Sequence, residues 1–232
     1  MDSVNFDLTS ASVTDVNGFL HREAAKAGTR RVLISNPDGA HNIAVGIDLP
    51  IEVEIDGHAG YYAAGMNKEA KVTISGSAST GVAENMMSGR VHVKGFASNA
   101  AGASAHGGLL VIEGDAGLRC GISLKGADIV VKGSVGSFSA FMAQAGRIVI
   151  CGDAGDALGD SLYEAVIYVR GKVKSLGADA REEPMQPADV EAVAQLLRAA
   201  GPAFAEIDPK EFRRVASARS LYHWNADANQ EY

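Results

Sequence analysis

Aliphatic residues recur along the middle of this chain with a period of 19 positions. In each of seven successive repeats, two aliphatic residues lie four and two positions before a glycine. They are Val53 and Ile55, Val72 and Ile74, Val91 and Val93, Leu110 and Ile112, Ile129 and Val131, Ile148 and Ile150, and Ile167 and Val169. Thirteen of the fourteen are β-branched, and their alternation is typical of a strand that buries one face. Each repeat therefore predicts one short strand.

Small residues mark the same period. The glycines that follow the strands, which we predict to be structural corners, are Gly57, Gly76, Gly95, Gly114, Gly133, Gly152 and Gly171. An Ala or Val two positions after each of them predicts a further inward-facing column. Ala or Gly also stands seven and thirteen positions after the first six glycines, which indicates three corners in every coil. Stacked corners bring backbones into contact, and glycine tolerates the backbone angles that a corner can need.

A stack of short strands explains this pattern better than a stack of helices. A helical repeat needs a spacing near 3.6 residues and few internal glycines, whereas these repeats alternate with period two and break at glycine. We therefore predict an all-β chain: a right-handed parallel β-helix, or solenoid, of about seven 19-residue coils with short flanking helices. Six steps of about 4.8 Å give a stack of roughly 29 Å.

The sequence divides into three segments around this repeat. Residues 51–180 form the predicted β-helix. Residues 1–50 do not follow the repeat cleanly and are predicted to form an N-terminal cap and an irregular first coil, with a short helix over residues 16–27 and a strand over residues 31–35. The helix is a candidate seal for the open end of the solenoid.

Residues 181–232 are predicted to form a C-terminal helix and a docking tail. Pro187 begins the helix, and Gly201 with Pro202 ends it. The apolar stripe of this helix must pack on something. The sequence leaves two alternatives open, the flank of the solenoid and a partner protein.

Composition and charge argue against several classes of function. The chain has 232 residues, of which 27 are glycine and 47% are hydrophobic, and its net charge is −7. This balance argues against a nucleic acid or an anionic membrane as partner, since both require clustered Lys and Arg. The N-terminus has no apolar run, and no stretch of 18 uncharged apolar residues occurs. We therefore expect a cytoplasmic protein without a membrane-spanning segment.

The residues that usually carry chemistry are scattered. Cys120 and Cys151 are 31 positions apart, which predicts buried reduced thiols and no iron–sulfur or zinc site. Position 2 is Asp2, whereas a class II glutamine amidotransferase needs a cysteine there as its nucleophile. No two of the six histidines have the spacing of a local metal pair. We therefore predict no catalytic, cofactor-binding or metal-binding residue in this chain.

One run of side chains differs from the rest of the repeat and predicts a protein-binding surface. Methionine adapts to irregular partners, and Trp, Tyr and Arg are favoured interface anchors. The candidate residues are Asn85, Met86, Met87, His106, Phe141 and Met142 on one solenoid face, with Arg219, Tyr222, His223 and Trp224 in the tail. Two alternatives remain: a loop of the same chain covers the face, and the tail packs onto its own domain.

Three segments carry a resemblance to a known family. They are IDGHAGYYAAGMNKEAKVTISG, SGRVHVKGFASNAAGASAHGGLLVIEGDAG and GRIVICGDAGDALGDSLYEAVIYVRG. Over about residues 30–180 the chain resembles the GXGXG domain, the right-handed β-helix at the C-terminal end of the glutamate synthase large subunit. The stretches GVAENMMSG and SAFMAQAGRIVICGDAG are similar to the free-standing GXGXG subunits of N-methylglutamate synthases.

This resemblance implies a subunit of a larger enzyme. In such complexes the glutamate synthase architecture is split between a class II amidotransferase-like subunit, the GXGXG subunit and a subunit that binds FMN and iron–sulfur clusters. The complex joins methylamine to glutamate and releases ammonia. The resemblance implies that the present chain binds no cofactor. It implies instead a hetero-oligomer in which the β-helix holds the other two subunits in register and is a candidate to line the passage between them.

Two other functions remain as alternatives. The C subunit of formylmethanofuran dehydrogenase or formyltransferase/hydrolase complexes uses the same β-helix. A stand-alone carbohydrate-active β-helix enzyme belongs to a different class, but it needs clustered acids and an aromatic groove. One Trp with scattered Asp and Glu supplies neither.

Overall fold

The computed structural model describes residues 3–218 of the chain. Its strands are β1 (Ser3–Asp7), β2 (Arg31–Ser35), β3 (Glu52–Asp56), β4 (Lys71–Ile74), β5 (Arg90–Val93), β6 (Leu109–Ile112), β7 (Lys125–Val131), β8 (Ala145–Ile150), β9 (Val166–Val169), β10 (Ala180–Glu183) and β11 (Arg213–Ser217). Its α-helices are α1 (Val13–Arg22), α2 (Ala24–Ala27) and α3 (Pro187–Ala200). Two 3₁₀ turns, Pro202–Phe204 and Pro209–Glu211, follow α3.

The strands β1–β9 stack in parallel in sequence order. From β3 onwards each inward residue pairs with the one 19 positions later, as Val53 does with Val72. All fourteen aliphatic residues that the sequence predicts to face inward are at most 2% exposed. The predicted solenoid of about seven coils, with few and short helices, is therefore confirmed.

A second inward column follows the corner glycines. Residues two positions after each glycine form isolated parallel bridges from coil to coil, beginning with Ala59 to Ala78 and ending with Ala154 to Val173. The first six members of this column are at most 5% exposed. The column is therefore inward-facing, as its small residues predicted.

Close contact between stacked coils explains the corner glycines. A Cβ built on Gly76 or Gly171 would lie 2.6 or 2.3 Å from the carbonyl oxygen of the glycine one coil earlier, closer than real Cβ atoms come. Unusual backbone angles are not the general reason, because Gly57 is the one member of the seven with a positive φ. The expectation of special angles at these corners is therefore wrong for the other six.

The left-handed backbone conformation lies elsewhere in the coil. Residues five, seven and nine positions after a corner glycine have positive φ, as Phe138, Ala140 and Met142 do at 57°, 58° and 53°. Their amides form ladders between coils: Phe138 N and Met142 N donate to the following coil, and Ala140 N donates to the preceding one. These hydrogen bonds offset the cost of about 1–2 kcal/mol for each left-handed residue.

The middle position of this ladder faces the core and must be small. A Cβ added at Gly121 would lie 2.5 Å from Ile148 Cδ1, and one added at Gly102 would lie 2.7 Å from Ile129 Cδ1. The Ala and Gly residues seven positions after each corner therefore leave room for the inward side chains of the strands.

The N-terminal residues extend the stack and cover its end. β1 and β2 pair in parallel, and β2 pairs with β3 at an offset of 21 residues, as Val32 does with Val53. Between β1 and β2, α1 buries Val16 and Leu20 against the solenoid core. The side chain of Asn17 exchanges hydrogen bonds with the backbone of residues 42 and 44, at 2.8 and 2.9 Å.

The helix over residues 16–27 is predicted as one element but forms two. It begins earlier, at Val13, because Ser12 and Asp15 form a capping box in which each side chain bonds the other's backbone amide. It breaks at Glu23, and α2 ends at the left-handed Gly28.

The C-terminal helix packs on its own solenoid. Val193, Leu196 and Leu197 of α3 are buried against outward-facing side chains of the strands. Those strand residues are Val111, Val130, Val149 and Tyr168. Of the two alternatives for the apolar stripe of α3, the structure shows the solenoid flank.

Two antiparallel strands close the last coil, which the sequence pattern does not predict. β11 lies between β9 and β10 and is antiparallel to both. β10 therefore forms this edge of the sheet, and its sequence, AREE, carries three charges. Charged residues on an edge strand discourage pairing with another chain.

Candidate functional site

The outward-facing side chains four to nine positions after each corner glycine form a continuous surface, which we call the turn face. Its backbone is fixed by the left-handed ladders, so its outward side chains are presented from a rigid support. Exposed large apolar side chains occur on it in two patches, separated by two coils. The intervening coils carry mainly small or polar residues at the corresponding positions: Thr80, Gly81, Asn85, Asn99, Ala100 and Ser104.

The first patch consists of Tyr61, Tyr62 and Met66, which are 48%, 46% and 52% exposed. His41 stacks on Tyr61 with ring centroids 4.4 Å apart and planes 7° apart. His41 Nδ1 also accepts a hydrogen bond from Tyr61 N at 2.9 Å. These contacts hold the Tyr61 ring in place.

The second patch consists of Leu118, Phe138 and Met142, which are 49%, 43% and 39% exposed, together with the half-buried Phe141. Phe138 and Phe141 meet edge to face, with ring centroids 6.2 Å apart. Aromatic residues and methionine are enriched in the cores of protein–protein interfaces, so the pair of rings next to Met142 fits an interface.

The structure brings together only some of the residues predicted to bind a partner. Phe141 and Met142 lie in the second patch, and Asn85 shares a ladder column with Met142 three coils away. Met87 and His106 are exposed, but they occupy neighbouring coils two positions beyond that column.

Met86 was predicted to lie on the interface, and the structure contradicts this. Its side chain is fully buried among the largest side chains of the core. The reason is the alternation of the chain, which points residue 86 inward and its neighbours Asn85 and Met87 outward. Arg219, Tyr222, His223 and Trp224 lie outside the described residues.

Sequence reasoning missed Tyr61, Tyr62, Met66, Leu118 and Phe138. Tyr62, Met66 and Phe138 have positive φ, which bulky residues rarely adopt, so nothing in their type signals a ladder position. The signal that could have found them is their placement: large apolar residues recur at outward columns where other coils have Gly, Ala, Ser or Thr.

A second ladder runs along the corners themselves. The side chain directly after a corner glycine accepts a hydrogen bond from the backbone N–H of the equivalent residue in the next coil. These bonds join His58 Nδ1 to Ser77 N at 2.9 Å, Ser77 Oγ to Phe96 N at 3.2 Å, Asp115 Oδ1 to Ser134 N at 2.7 Å, Ser134 Oγ to Asp153 N at 3.0 Å and Asp153 Oδ1 to Lys172 N at 2.7 Å. We call this set the corner ladder.

Phe96 interrupts the corner ladder. Its side chain has no acceptor, and within residues 3–218 the amide of Asp115 in the next coil has no hydrogen-bond partner. The ring of Phe96 is 57% exposed, more than any other large hydrophobic side chain in the described part of the chain.

The outer face of β2–β5 is a charged groove of about 350 Å³ whose lining includes no residue of α3. Arg90 at its border donates to the carbonyl oxygens of Ala199 and Ala200, at 2.6 and 2.8 Å, and so holds the C-terminal end of α3. His92 contacts Glu113, with 2.7 Å between Nε2 and Oε1. Burial lowers the pKa of His92, although Glu113 opposes this shift.

Among the described residues there is neither a metal-ligand cluster nor a readily ionised thiol. No group of three or more His, Cys, Asp or Glu that could hold a metal ion occurs among them. Cys120 and Cys151 are free and buried, as predicted, and burial raises the pKa of both thiols to about 12. A thiol that is rarely ionised at neutral pH is a poor nucleophile, because the thiolate is the reactive form.

Comparison with known proteins places this architecture in a family. The model of the GXGXG motif matches residues 33–200, which is more than half of the chain. This chain belongs to the GXGXG motif family. It is also similar to Protein GlxC of Rhizobium meliloti (strain 1021), with 51% identity over 226 residues that cover 97% of this chain and 98% of the relative.

The matched range agrees with the structure of this GXGXG chain. It begins within β2 and ends at the last residue of α3, so it covers the stacked coils and the helix that packs on them. None of the helices between residues 3 and 218 is long and apolar enough to cross a membrane.

Proposed function

We propose that this chain is the non-catalytic GXGXG subunit of a glutamate synthase-like complex, and specifically of an N-methylglutamate synthase. In this complex it holds an amidotransferase-like subunit and an FMN and iron–sulfur subunit in register. The reaction consumes glutamate and methylamine and yields N-methylglutamate and ammonia. The reacting groups belong to the partner chains, and this chain supplies their relative position.

The observation that carries the proposal is the pair of exposed apolar patches on a rigid turn face. A solenoid whose coils are joined by backbone ladders does not deform easily, so two proteins bound along it keep a fixed separation. The two patches lie about three coils apart, or roughly 14 Å along the stack. Family membership and the 51% identity to Protein GlxC support the coarser part of the proposal, a GXGXG subunit of a glutamate synthase-like complex.

Co-expression of the three chains tests the proposal. We expect the complete complex to form N-methylglutamate and ammonia, and we expect omission of this chain to abolish turnover. FMN and iron–sulfur absorbance should stay with the partner subunit when the complex is taken apart. Turnover by this chain alone, or full activity of the other two chains without it, would contradict the proposal.

Variants of the turn face test the role of the patches. Phe138→Ser combined with Met142→Ser removes exposed apolar area and should weaken complex formation at least about tenfold. Thr80→Ala combined with Ser104→Ala, in the coils between the patches, is the matched control and should leave affinity unchanged. Stable association with an amidohydrolase-like or formyltransferase chain instead would favour the formyl-transfer alternative.

A further inference from the structure

We propose that Phe96 is an anchor residue that inserts into an apolar pocket of a partner subunit, and that carboxylates on the rim of this pocket meet Lys94. This inference rests on the proposed function, because it takes the partner from the complex proposed above. It concerns a different surface from the turn face, namely the corner between β5 and the next inward column.

Within residues 3–218, no contact of the fold requires a phenylalanine at position 96. Among the seven residues that directly follow a corner glycine, Phe96 is the one apolar side chain. Two of the others are serines, Ser77 and Ser134, and both accept a corner-ladder bond. A serine at position 96 would restore the acceptor that Asp115 N lacks, and it would remove an exposed ring from water.

The cost to the free chain points to a benefit on binding. A Phe side chain buries about 150–250 Å² when it enters an interface, and aromatic residues in central pockets carry much of the energy of such contacts.

The charge beside Phe96 indicates the chemistry of the partner. Lys94 is exposed, lies two positions before Phe96, and forms no ion pair within residues 3–218. Glu113, at the equivalent position of the next coil, is already bound to His92. A partner pocket with carboxylates on its rim therefore complements this corner.

A second copy of this chain fits the corner less well. The apolar groove beside α3, lined by Leu197, Phe204 and Ile207, is large enough for a ring, at about 500 Å³. The side chains that line this groove include the cation Arg198 and no carboxylate, so the groove lacks the charge that would complement Lys94. Such a contact would also be head-to-tail, which produces a ring or an open chain of copies rather than a closed two-fold dimer.

The test separates folding from binding by using a variant that should fold better and bind worse. Phe96→Ser restores a corner-ladder acceptor, so its melting temperature should equal or exceed that of the wild type. Its affinity for the purified amidotransferase-like and FMN and iron–sulfur subunits, measured by calorimetry, should fall at least about tenfold. Lys94→Glu should also weaken binding, and this effect should diminish at high salt.

Ser134→Ala is the matched control. It removes a corner-ladder acceptor without changing exposed apolar area, so it should lower the melting temperature and leave partner affinity unchanged. The opposite behaviour of the two variants would support Phe96 as an anchor that is retained against the stability of the fold.

Three outcomes would overturn the inference. If the wild type and Phe96→Ser bind the partner subunits equally well, Phe96 is not an anchor, and the proposed function stands. If the wild type binds neither subunit, the proposed function fails and the inference fails with it. If sedimentation shows that Phe96→Ser abolishes self-association while partner affinity is unchanged, the occupant of this surface is a second copy.

Discussion

Gly133 shows how closely consecutive coils approach one another. A Cβ at this position would lie 2.2 Å from Asp115 Oδ1 and 2.7 Å from the carbonyl oxygen of Gly114. Gly133→Ala should therefore lower the free energy of unfolding by about 2–3 kcal/mol, because the backbone of the preceding coil cannot move aside without breaking its ladder. Denaturant unfolding followed by circular dichroism measures this change.

Gly28 provides the matched control. It has a positive φ of 65°, but a Cβ there would meet nothing within 4 Å. Gly28→Ala should cost only about 1 kcal/mol, which reflects the left-handed conformation alone. Equal destabilisation by the two variants would mean that contact between coils is not what requires glycine at the corners.

The pKa of His92 predicts a dependence of stability on pH. Burial lowers this pKa from its ordinary value of 6.5, Glu113 opposes the shift, and Arg90 and Lys94 reinforce it. The unfolded chain therefore binds a proton at a higher pH than the folded chain does. The contribution of His92 to stability should be complete above pH 6.5 and should decline as the pH falls through the folded-state value.

Denaturant unfolding at several pH values measures this effect. His92→Gln should flatten the decline below pH 6.5, since Gln does not titrate. Glu113→Gln removes the group that raises the pKa of His92, so the decline should extend to lower pH. An identical pH profile for the wild type and His92→Gln would rule out this explanation.

At the scale of residues, sequence predicts burial well where a column repeats and poorly where one coil departs from it. The fourteen aliphatic strand residues are buried because period-two alternation fixes which side faces inward. Met86 was misassigned because side chains in the turn also alternate between the inward and outward sides. This alternation depends on left-handed residues that are not glycine, such as Asn85, so the sequence gives no sign of it. The outward positions of Tyr62 and Phe138 could not be read from residue type for the same reason.

At the scale of elements, α3 should behave as a separately removable layer. Leu197 is 4% exposed and packs on the outer face of the strands, away from the solenoid interior. Leu197→Ala should weaken this docking by about 2–4 kcal/mol through lost burial and a residual cavity. Limited proteolysis should then cut within residues 187–200 faster than in the wild type, while the coils remain intact.

Gln195→Ala is the control for this prediction, because residue 195 is exposed on the opposite side of the same helix. It should leave the cleavage rate unchanged. Equal protection of α3 in Leu197→Ala and the wild type would show that the apolar stripe does not hold the helix.

The start and end of α3 were predictable from Pro187 and Gly201. The surface that α3 covers was not predictable, because the apolar stripe of a helix does not identify the surface on which it packs.

At the scale of the whole molecule, a solenoid must protect two ends that the repeat itself leaves open. The repeat predicts the coils but not their closure, because the closing elements occur once and have no period. At one end, α1 uses Asn17 to bond the exposed backbone of the first turn. At the other, β11 crosses back to pair with β9, a contact between residues about 45 positions apart that no local pattern encodes.

The protective role of β11 leads to a final prediction. A chain that ends at Gly201 loses β11 together with Phe204 and Phe212, which are buried beside α3, and exposes the edge of β9. An unpaired strand that carries Val, Ile and Tyr is a template for pairing with another chain, so light scattering should show association that rises with protein concentration. A chain that ends at Ala218 keeps β11 and should show no such rise over the same concentrations. If the shorter chain also stays monodisperse, β11 is not what prevents the coils of separate molecules from stacking end to end.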